Sequence, residues 1–371
     1  MKNIFTLIVA VAIVLSGSVA FAAEKLIEAS GEYVMDSRLD ETPASATARA
    51  REEAKRTAVE KAGVYLQSYS KTIDLELVED EIQTVAARLL KVQGESSKVD
   101  VVNDNLLRFT VTIKALVDDL DDTDLKALMQ DKQSLADATR KYKELQEKYD
   151  ALNEQMEAFK RGYDTANDAQ RVEIKREVAR NTENFSAVDA MSRGNDFYFA
   201  KDYASALAAY DEALRLNPQL AEAYNNRGIA KYELGQYAAA IEDYSAALRL
   251  KSNLADALNN RGNAYTALSQ HNNAAQDLQA ALKLNPDNAI IHNNLGSAYY
   301  SMKNYDAALS EYTRAIALNP NFAEAYYNRA AIHYGQGKYA EALADIKPAM
   351  TLKPADNAIR TLYDKISRKV G

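Results

Sequence analysis

Side chains with the reactivity needed for catalysis are scarce in this sequence. Among its 371 residues there is no cysteine, which excludes disulfides, thiolate zinc sites and cysteine nucleophiles. The three histidines, His271, His292 and His333, occupy places that are aromatic in other copies of a repeated unit described below. We therefore expect them to pack within the fold. The sequence predicts no catalytic residue, no metal site and no cofactor.

Carboxylate pairs are the remaining candidates for chemistry. Glu52 with Glu53, and the run from Glu79 to Glu81, could supply the acid and base of a glycan hydrolase or mark a cell-wall enzyme accessory. Both groups fall at helix positions where surface charge is expected, so this function is the alternative interpretation. The formal net charge of −8 argues against nucleic acid as the main partner.

Amides and phenols are the polar groups with regular spacing. The asparagines that recur at 34-residue intervals are Asn225, Asn226, Asn259, Asn260, Asn293, Asn294 and Asn328. The tyrosines on the same period, with one omission, are Tyr198, Tyr232, Tyr300 and Tyr334. Carboxamides can hydrogen-bond the backbone of an extended peptide whatever its side chains, and tyrosine adds flat amphipathic surface. These are the predicted peptide-binding residues. The alternative is that the asparagines belong to the repeat's own consensus and the tyrosines pack between neighbouring helices.

The period itself is marked by proline. Pro218, Pro286, Pro320 and Pro354 are separated by 68, 34 and 34 residues, and Ser252 takes the omitted place. Aligned on this period, the sequence divides into five units: 187–220, 221–254, 255–288, 289–322 and 323–356. Self-similarity at this period predicts a helical repeat array.

Each unit predicts two antiparallel helices. Its eighth residue is glycine in four units, its twentieth and twenty-seventh are alanine in all five, and its twenty-fourth is bulky. Small and large residues therefore interlock at helical spacing. Asn-Pro ends the second helix of three units, because proline lacks an N–H and restricts the residue before it. This pattern resembles the tetratricopeptide repeat over 187–356, and 357–371 supplies a capping helix.

The resemblance implies a superhelix whose first helices line an inner surface that binds an extended peptide segment of another protein. In this family a clamp of lysine, asparagine and arginine holds a C-terminal carboxylate. Its matching positions here are Met191, Asn195, Asn226, Asp256 and Asn260, so the cations are missing. A neutral or mixed-charge segment is therefore the expected ligand.

Residues 122–186 predict a coiled-coil spacer. One apolar row recurs every seven residues: Leu128, Leu135, Tyr142, Tyr149, Met156 and Tyr163. A second row follows three places behind it, which is typical of a left-handed coiled coil. We favour self-association through this seam. The alternatives are a hairpin within the chain that turns near Gly162, and a single charged helix packed on the N-terminal domain.

Residues 23–121 predict a small α+β domain of two helices on an antiparallel sheet. The helices are expected at 42–66 and 80–90, and the strands at 31–36, 65–77, 92–102 and 106–117. The alanine-rich run 48–64, followed by Glu79-Asp80-Glu81-Ile82, resembles the N-terminal domain of the flagellar assembly protein T family. Small outer-membrane lipoproteins carry a similar domain. The resemblance implies an envelope-associated assembly domain without catalysis.

Residues 1–22 are typical of a secretory signal peptide, with an uncharged apolar core and the small-residue site Ala20-Phe21-Ala22. The predicted protein is mainly α: an α-α superhelix of five tetratricopeptide repeats, preceded by a coiled-coil helix and a small α+β domain. We expect a non-catalytic periplasmic scaffold that binds a partner protein within an envelope assembly. Outer-membrane association and a homo-oligomer through the coiled coil are further expectations.

Overall fold

The computed structural model describes residues 25–72, 78–117 and 132–370. The first domain contains strand β1 (Lys25–Asp36), helices α1 (Pro43–Thr72) and α2 (Glu79–Leu89), and strands β2 (Leu90–Asn103) and β3 (Leu106–Val117). The strands form one antiparallel sheet in the order β1-β3-β2, and α1 packs across β1 and β3. The predicted signal peptide, 1–22, lies outside the described residues.

Alanine lets α1 approach the sheet closely in this domain. Alanines at four-residue spacing along α1, from Ala46 to Ala62, are fully buried. A Cβ atom at Gly31 of β1 would lie 2.3 Å from the carbonyl oxygen of Ala50, so only glycine fits there. The inward side chains of β3, including Phe109 and Ile113, complete the core. The predicted arrangement of two helices and an antiparallel sheet is confirmed.

The strand expected at 65–77 is wrong in its first part, because α1 continues to Thr72. Leu66 extends the four-residue spacing of the buried alanines and is itself 2 % exposed. Burial on one helix face therefore outweighs the local strand preference of the aromatic and β-branched residues. Residues 73–77 lie outside the described part of the chain.

Residues 132–199 form a helical hairpin. Helices α3 (Lys132–Thr165) and α4 (Asp168–Phe199) are joined through Ala166 and Asn167. Asn167 caps α4, since its Oδ1 accepts from the backbone N–H of Gln170 at 3.0 Å. The turn comes just after Gly162, which remains inside α3.

The hairpin uses the seam of the predicted coiled coil within the chain. Tyr149 and Met156 of α3 are fully buried, and the ring centroid of Tyr149 lies 5.2 Å from that of Phe185 in α4. Leu135 packs into the core of the first domain. These seam side chains already have partners in the same chain. The structure therefore supports the hairpin within the chain rather than the self-association that the sequence led us to favour.

The C-terminal half consists of helix pairs with a period of 34 residues. Helix α5 (Tyr203–Leu216) packs on the C-terminal part of α4, which thus serves as the first helix of repeat 1. The helices of repeats 2 to 5 are α6 (Ala221–Glu233), α7 (Tyr237–Leu250), α8 (Ala255–Ala267), α9 (His271–Leu284), α10 (Ala289–Ser301), α11 (Tyr305–Leu318), α12 (Ala323–Gly335) and α13 (Tyr339–Leu352). Helix α14 (Asn357–Val370) follows them. The mainly α fold class is confirmed.

Close approach within each helix pair depends on the glycine of the eighth position. A Cβ atom at Gly228 would lie 2.7 Å from a ring carbon of Tyr244, and one at Gly262 would lie 2.8 Å from Leu278. The alanines at the twentieth and twenty-seventh positions are fully buried in every repeat. The small and large residues therefore interlock as predicted. No helix among the described residues is long and apolar enough to cross a membrane.

A buried polar cluster joins the first domain to the hairpin. Arg49 Nε lies 3.4 Å from Glu41 Oε1, an ion pair without hydrogen-bond alignment, and both side chains are buried. Arg49 also donates to Asn153 of α3 and, at 2.5 Å, to Asn181 of α4. Its guanidinium carbon lies 4.1 Å from the ring centroid of Phe185. Burial raises the pKa of Glu41 and lowers that of Arg49, so each charge depends on the other.

Candidate functional site

The first helices of the array form one continuous face, here called the inner surface. It consists of residues 187–199 of α4 followed by α6, α8, α10 and α12. First helices of neighbouring repeats contact one another directly, whereas second helices contact mainly the first helices on either side. The first helices are thus the more closely packed row, and the array curves toward them.

The predicted asparagines lie between neighbouring first helices and hydrogen-bond one another. Asn260 Nδ2 donates to Asn225 Oδ1 of the preceding repeat at 3.2 Å, and Asn225 Nδ2 donates to Asn226 Oδ1 at 3.1 Å. One repeat later, Asn294 Nδ2 donates to Asn259 Oδ1 at 2.9 Å, and Asn259 Nδ2 donates to Asn260 Oδ1 at 3.4 Å. We call this connected row the asparagine ladder.

The ladder continues at both ends. Asn226 Nδ2 donates to Asn195 Oδ1 at 3.0 Å, and the same oxygen accepts from the hydroxyl of Tyr210 at 2.9 Å. Beyond Asn294, a separate bond from Asn328 Nδ2 to Asn293 Oδ1 at 3.0 Å joins repeats 4 and 5. Asn195 was absent from the predicted set, because the residue types of repeat 1 depart from the double-asparagine pattern. Each repeat is therefore joined to its neighbour by a hydrogen bond between asparagines. This agrees with the alternative in which these residues belong to the repeat's own packing.

The ladder leaves bonding capacity for a ligand. A carboxamide has two N–H donors and an oxygen with two lone pairs, and Asn260 spends one donor and one lone pair within the ladder. Asn225 and Asn293 are buried, whereas the partly exposed members are Asn226, Asn259, Asn260, Asn294 and Asn328. The ladder thus fixes the orientation of the partly exposed carboxamides. Each of them keeps N–H donors or oxygen lone pairs that are free to hydrogen-bond another molecule.

The predicted tyrosines pack against second tyrosines across the turn between the two helices of a repeat. The ring centroids of Tyr198 and Tyr203 are 5.6 Å apart, those of Tyr232 and Tyr237 5.1 Å, and those of Tyr300 and Tyr305, and of Tyr334 and Tyr339, 5.7 Å. Burial raises the pKa of Tyr198 to about 12. Tyr300, at 45 % exposure, offers the most surface of the four. The four tyrosines therefore pack between helices, as the alternative interpretation predicts. Tyr300 also keeps part of its ring exposed.

Arginine–aspartate pairs join the first and second helices of a repeat, and the same arginine also reaches the second helix of the preceding repeat. Arg261 donates to Asp277 of α9 from Nε at 2.7 Å and from Nη2 at 2.8 Å, and its Nη1 reaches Ser245 of α7 at 3.0 Å. Equivalent bidentate pairs form between Arg227 and Asp243 and between Arg329 and Asp345. The sequence signal for these pairs, arginine and aspartate 16 residues apart in three repeats, was not used in the prediction.

The histidine and carboxylate candidates have structural surroundings. His292 Nδ1 lies 2.6 Å from Glu311 Oε2; burial opposes protonation, but Glu311 outweighs it and raises the pKa of His292. Glu52 is 6 % exposed, contrary to the surface position expected, because α3 and α4 pack against this side of α1. Its Oε1 accepts from Gln146 Nε2 at 3.3 Å, and burial raises its pKa. Among the described residues, no group of three or more histidines and acids could hold a metal ion.

Helix α3 reaches the inner surface of repeats 2 and 3. Lys148 Nζ lies 3.1 Å from Glu222 Oε1 of α6. Two cations meet at Asp256 of α8, with Lys141 Nζ at 3.0 Å and Arg140 Nη2 at 3.5 Å from its Oδ2. Burial opposes ionisation of Asp256, but Lys141 and Arg140 outweigh it and lower the pKa of Asp256. The sequence places Asp256 where the family's clamp has a cation, but the sequence pattern did not predict that Lys141 and Arg140 would lie opposite it.

Comparison with protein families locates the repeats. Residues 199–258 and 322–353 match models described as Tetratricopeptide repeat, and residues 262–303 and 296–337 match one described as TPR repeat. The C-terminal half of the chain is an array of tetratricopeptide repeats. These matches confirm the resemblance over the repeats. They lie outside residues 25–117, so the resemblance of the first domain to the flagellar assembly protein T family stays a prediction.

Solved structures that resemble the tetratricopeptide array include the following three. TTC0263, a thermophilic TPR protein of Thermus thermophilus, is 24 % identical, with 49 % of this chain and 99 % of that chain covered and a TM-score of 0.43. YrrB, a TPR protein with an unusual peptide-binding site, is 24 % identical, with coverages of 51 % and 96 % and a TM-score of 0.42. PilW, a type IV pilus biogenesis factor, is 21 % identical, with coverages of 50 % and 86 % and a TM-score of 0.47. A search of curated proteins finds no match to the chain.

Proposed function

We propose that this protein is a non-catalytic scaffold that holds an extended peptide segment of a partner protein on the inner surface of its tetratricopeptide repeats. The observation that carries the proposal is the asparagine ladder. It sets partly exposed carboxamides at intervals of one repeat along the inner surface, each with unused donors or lone pairs.

The ladder prepares these side chains for binding. A side chain that is free in solution loses rotamer entropy when it binds, at a cost of about 0.5–1.5 kcal/mol. Asn260 and Asn294 are already held by neighbouring repeats, so most of that cost falls on folding instead. An extended backbone, with its alternating N–H and C=O groups, matches a row of groups that both donate and accept.

Repeats 4 and 5 offer the more open part of the inner surface. At the second position, where repeats 2 and 3 have acids covered by α3, repeat 4 has Ile290. In repeat 5 the equivalent Glu324 is exposed and bonded to Lys353. Exposed Tyr300 lies on the same stretch. A ligand segment with few charges and with groups that stack on tyrosine fits this surface.

The alternative of a carboxylate enzyme has weaker support. Glu52 is buried beneath α3, whereas its neighbour Glu53 is exposed, so the two carboxylates lie on different faces of α1. Glu81 Oε2 accepts from the backbone N–H of Val78 at 3.1 Å, which caps the start of α2.

A photo-crosslinking experiment tests the proposed site. A benzophenone amino acid placed at Tyr300 on the inner surface should give a crosslinked protein from envelope extracts. The matched position is Gln276, which is exposed on the second helix α9. Crosslinking at Tyr300 and not at Gln276 supports the proposal. Equal crosslinking at the two positions, or a product at Gln276 alone, contradicts it.

We further propose that the protein works in the periplasm as part of an envelope assembly, with its first domain turned toward the outer membrane. The support is the signal-peptide pattern of residues 1–22 and the resemblance of residues 23–121 to envelope-associated domains. A tagged chain should be released by osmotic shock and should have lost its first 22 residues. A tagged chain that stays in the cytoplasm at full length contradicts this location.

A further inference from the structure

We infer that Glu222 and Asp256 form a docking pair for a basic helix, and that α3 fills this pair from within the same chain until a partner helix of the same charge spacing replaces it. The inference rests on the proposed function and names a second class of ligand for the inner surface: a helical segment with cations seven residues apart. It commits to a basic helix because that is what the structure seats on these acids.

The spacing of the charges explains the fit. Lys141 and Lys148 are separated by seven residues, or two helical turns, which is a rise of about 10.5 Å along α3. Neighbouring packed helices lie about 8–10 Å apart. Glu222 and Asp256 occupy the same position in adjacent repeats, so their carboxylates recur at nearly the distance between the two lysines. A helix laid across the repeats therefore meets one acid per two turns.

An apolar side chain lies on the same face of α3 as the two lysines. Leu145 is four residues from Lys141 and three from Lys148, so all three point the same way. Leu145 packs, partly buried, against the core shared by repeats 1 and 2. The seated motif is thus a cation, an apolar residue and a cation at spacings of four and three.

The contact can open without loss of the hairpin core. Tyr149 and Met156 hold the C-terminal part of α3 against α4 and the first domain, away from repeats 2 and 3. Toward repeats 2 and 3, beyond Leu145, the structure shows ion pairs whose cationic side chains are 34 to 53 % exposed. Such exposed pairs are individually weak and are screened by salt. A competing helix must therefore displace these ionic contacts and partly buried Leu145, while Leu135 and Met156 keep the two ends of α3 in place.

The acid pair is specific to repeats 2 and 3. At the equivalent position repeat 4 has Ile290, repeat 1 has buried Val188, and repeat 5 has Glu324, which is bonded to Lys353 of the array. Glu222 is also approached by Lys251 at 3.7 Å, a second cation from the array itself. The expected ligand is accordingly a cation-bearing helix.

Binding of a synthetic helix to the full chain tests this inference. The probe is a fluorescently labelled peptide of residues 136–152, and its control carries Lys141→Glu and Lys148→Glu. The same two substitutions in the full chain put negative charges opposite the acids and leave only Arg140 on Asp256, so they should weaken the contact of α3 with this pair. We expect this variant chain to bind the probe at least tenfold more tightly than the unaltered chain, because a tethered helix competes at an effective concentration in the millimolar range. The control peptide should not bind.

Matched variants separate a site from a general charge effect. Lys143→Glu with Arg161→Glu changes the same total charge on α3 at residues for which the described chain has no ion pair with the repeats; this chain should bind the probe as the unaltered chain does. Adding Glu222→Gln and Asp256→Asn to the opened variant should abolish binding. If the opened variant does not fold, as judged by circular dichroism, Lys141→Gln with Lys148→Gln replaces it.

Two results would overturn the inference: no binding of the probe to the opened chain, or equal binding of the probe to the opened and unaltered chains. Either result leaves the proposed function to its own test, because crosslinking at Tyr300 of repeat 4 does not depend on Glu222 or Asp256. Crosslinking at Tyr300 without binding of the probe would mean that α3 stays permanently packed on the inner surface of repeats 2 and 3.

Discussion

The asparagine ladder predicts an unequal effect of two nearly identical substitutions in α8. Asn260→Ala removes one bond donated to Asn225 and one accepted from Asn259. At about 0.5–1.5 kcal/mol for each hydrogen bond, the loss is about 1–3 kcal/mol. Alanine favours the helix over asparagine by up to about 0.7 kcal/mol, which offsets part of it. We expect a net destabilisation of roughly 0.5–2.5 kcal/mol.

The matched control is Asn263→Ala, three residues further along the same helix. The described chain provides no hydrogen-bond partner for the Asn263 side chain, so this variant gains the helix preference alone. Urea unfolding followed by circular dichroism should give a difference between the variants of about 1–3 kcal/mol, with Asn263→Ala the more stable. Equal free energies of unfolding would show that the ladder bonds contribute nothing and would refute their role in ordering the inner surface.

Three further changes test the packing and the buried charges. Gly296→Ala places a Cβ atom 2.7 Å from the ring of its partner tyrosine and should cost about 1–3 kcal/mol in urea unfolding, whereas Gly335→Ala, with open space around it, should cost nothing. Arg49→Met leaves Glu41 buried without its partner and should cost about 3–5 kcal/mol, most of which the double variant with Glu41→Leu should recover; no recovery would contradict the pairing. Because its glutamate partner raises the pKa of His292, the imidazolium stabilises the fold below the ordinary pKa of 6.5, and this stability is lost as the pH rises through the raised pKa. Over that pH range, the urea concentration at the midpoint of unfolding should therefore fall for the unaltered chain relative to the His292→Gln variant. Midpoints that change in parallel with pH would disprove the coupling between His292 and its glutamate partner.

The repeats could be predicted from sequence because their packing is local and periodic. Glycine at the eighth position and a bulky residue at the twenty-fourth meet within one helix pair, as Gly228 and Tyr244 do. Their spacing alone therefore identifies the contact. The same reasoning found the asparagines of the inner surface, since one residue per repeat on one helix face must form a row.

Contacts between distant segments could not be predicted in this way. The heptad row of residues 122–186 shows that α3 buries one face, but an apolar seam fits a second copy as well as α4 and the first domain. Glu52 illustrates the same limit, because its burial depends on α3, which is distant in sequence: its partner Gln146 is 94 residues away. The end of α1 at Thr72 also depends on burial of Leu66 against the sheet and α2 rather than on local preference.

Bonds among the asparagines were hidden for a different reason. The sequence shows that Asn225 and Asn260 lie on neighbouring first helices, but a carboxamide on such a face can bond to a ligand or to the next repeat. The choice depends on how closely the helices approach, and in this array Asn260 Nδ2 comes within 3.2 Å of Asn225 Oδ1. The structure shows that these side chains join neighbouring repeats, and binding of a ligand by their remaining groups stays a prediction.

Binding on the inner surface is tested most directly by making the crosslinked partner segment as a synthetic peptide. Its affinity is then measured for one variant of the inner surface and one variant of a second helix. Tyr300→Ala removes an exposed ring from the inner surface, and Gln276→Ala is the control on a second helix. Isothermal titration should show the affinity reduced at least tenfold by Tyr300→Ala and unchanged by Gln276→Ala, with both variants folded as judged by circular dichroism. Unchanged affinity for Tyr300→Ala, or an equal loss for both variants, would contradict binding on the inner surface.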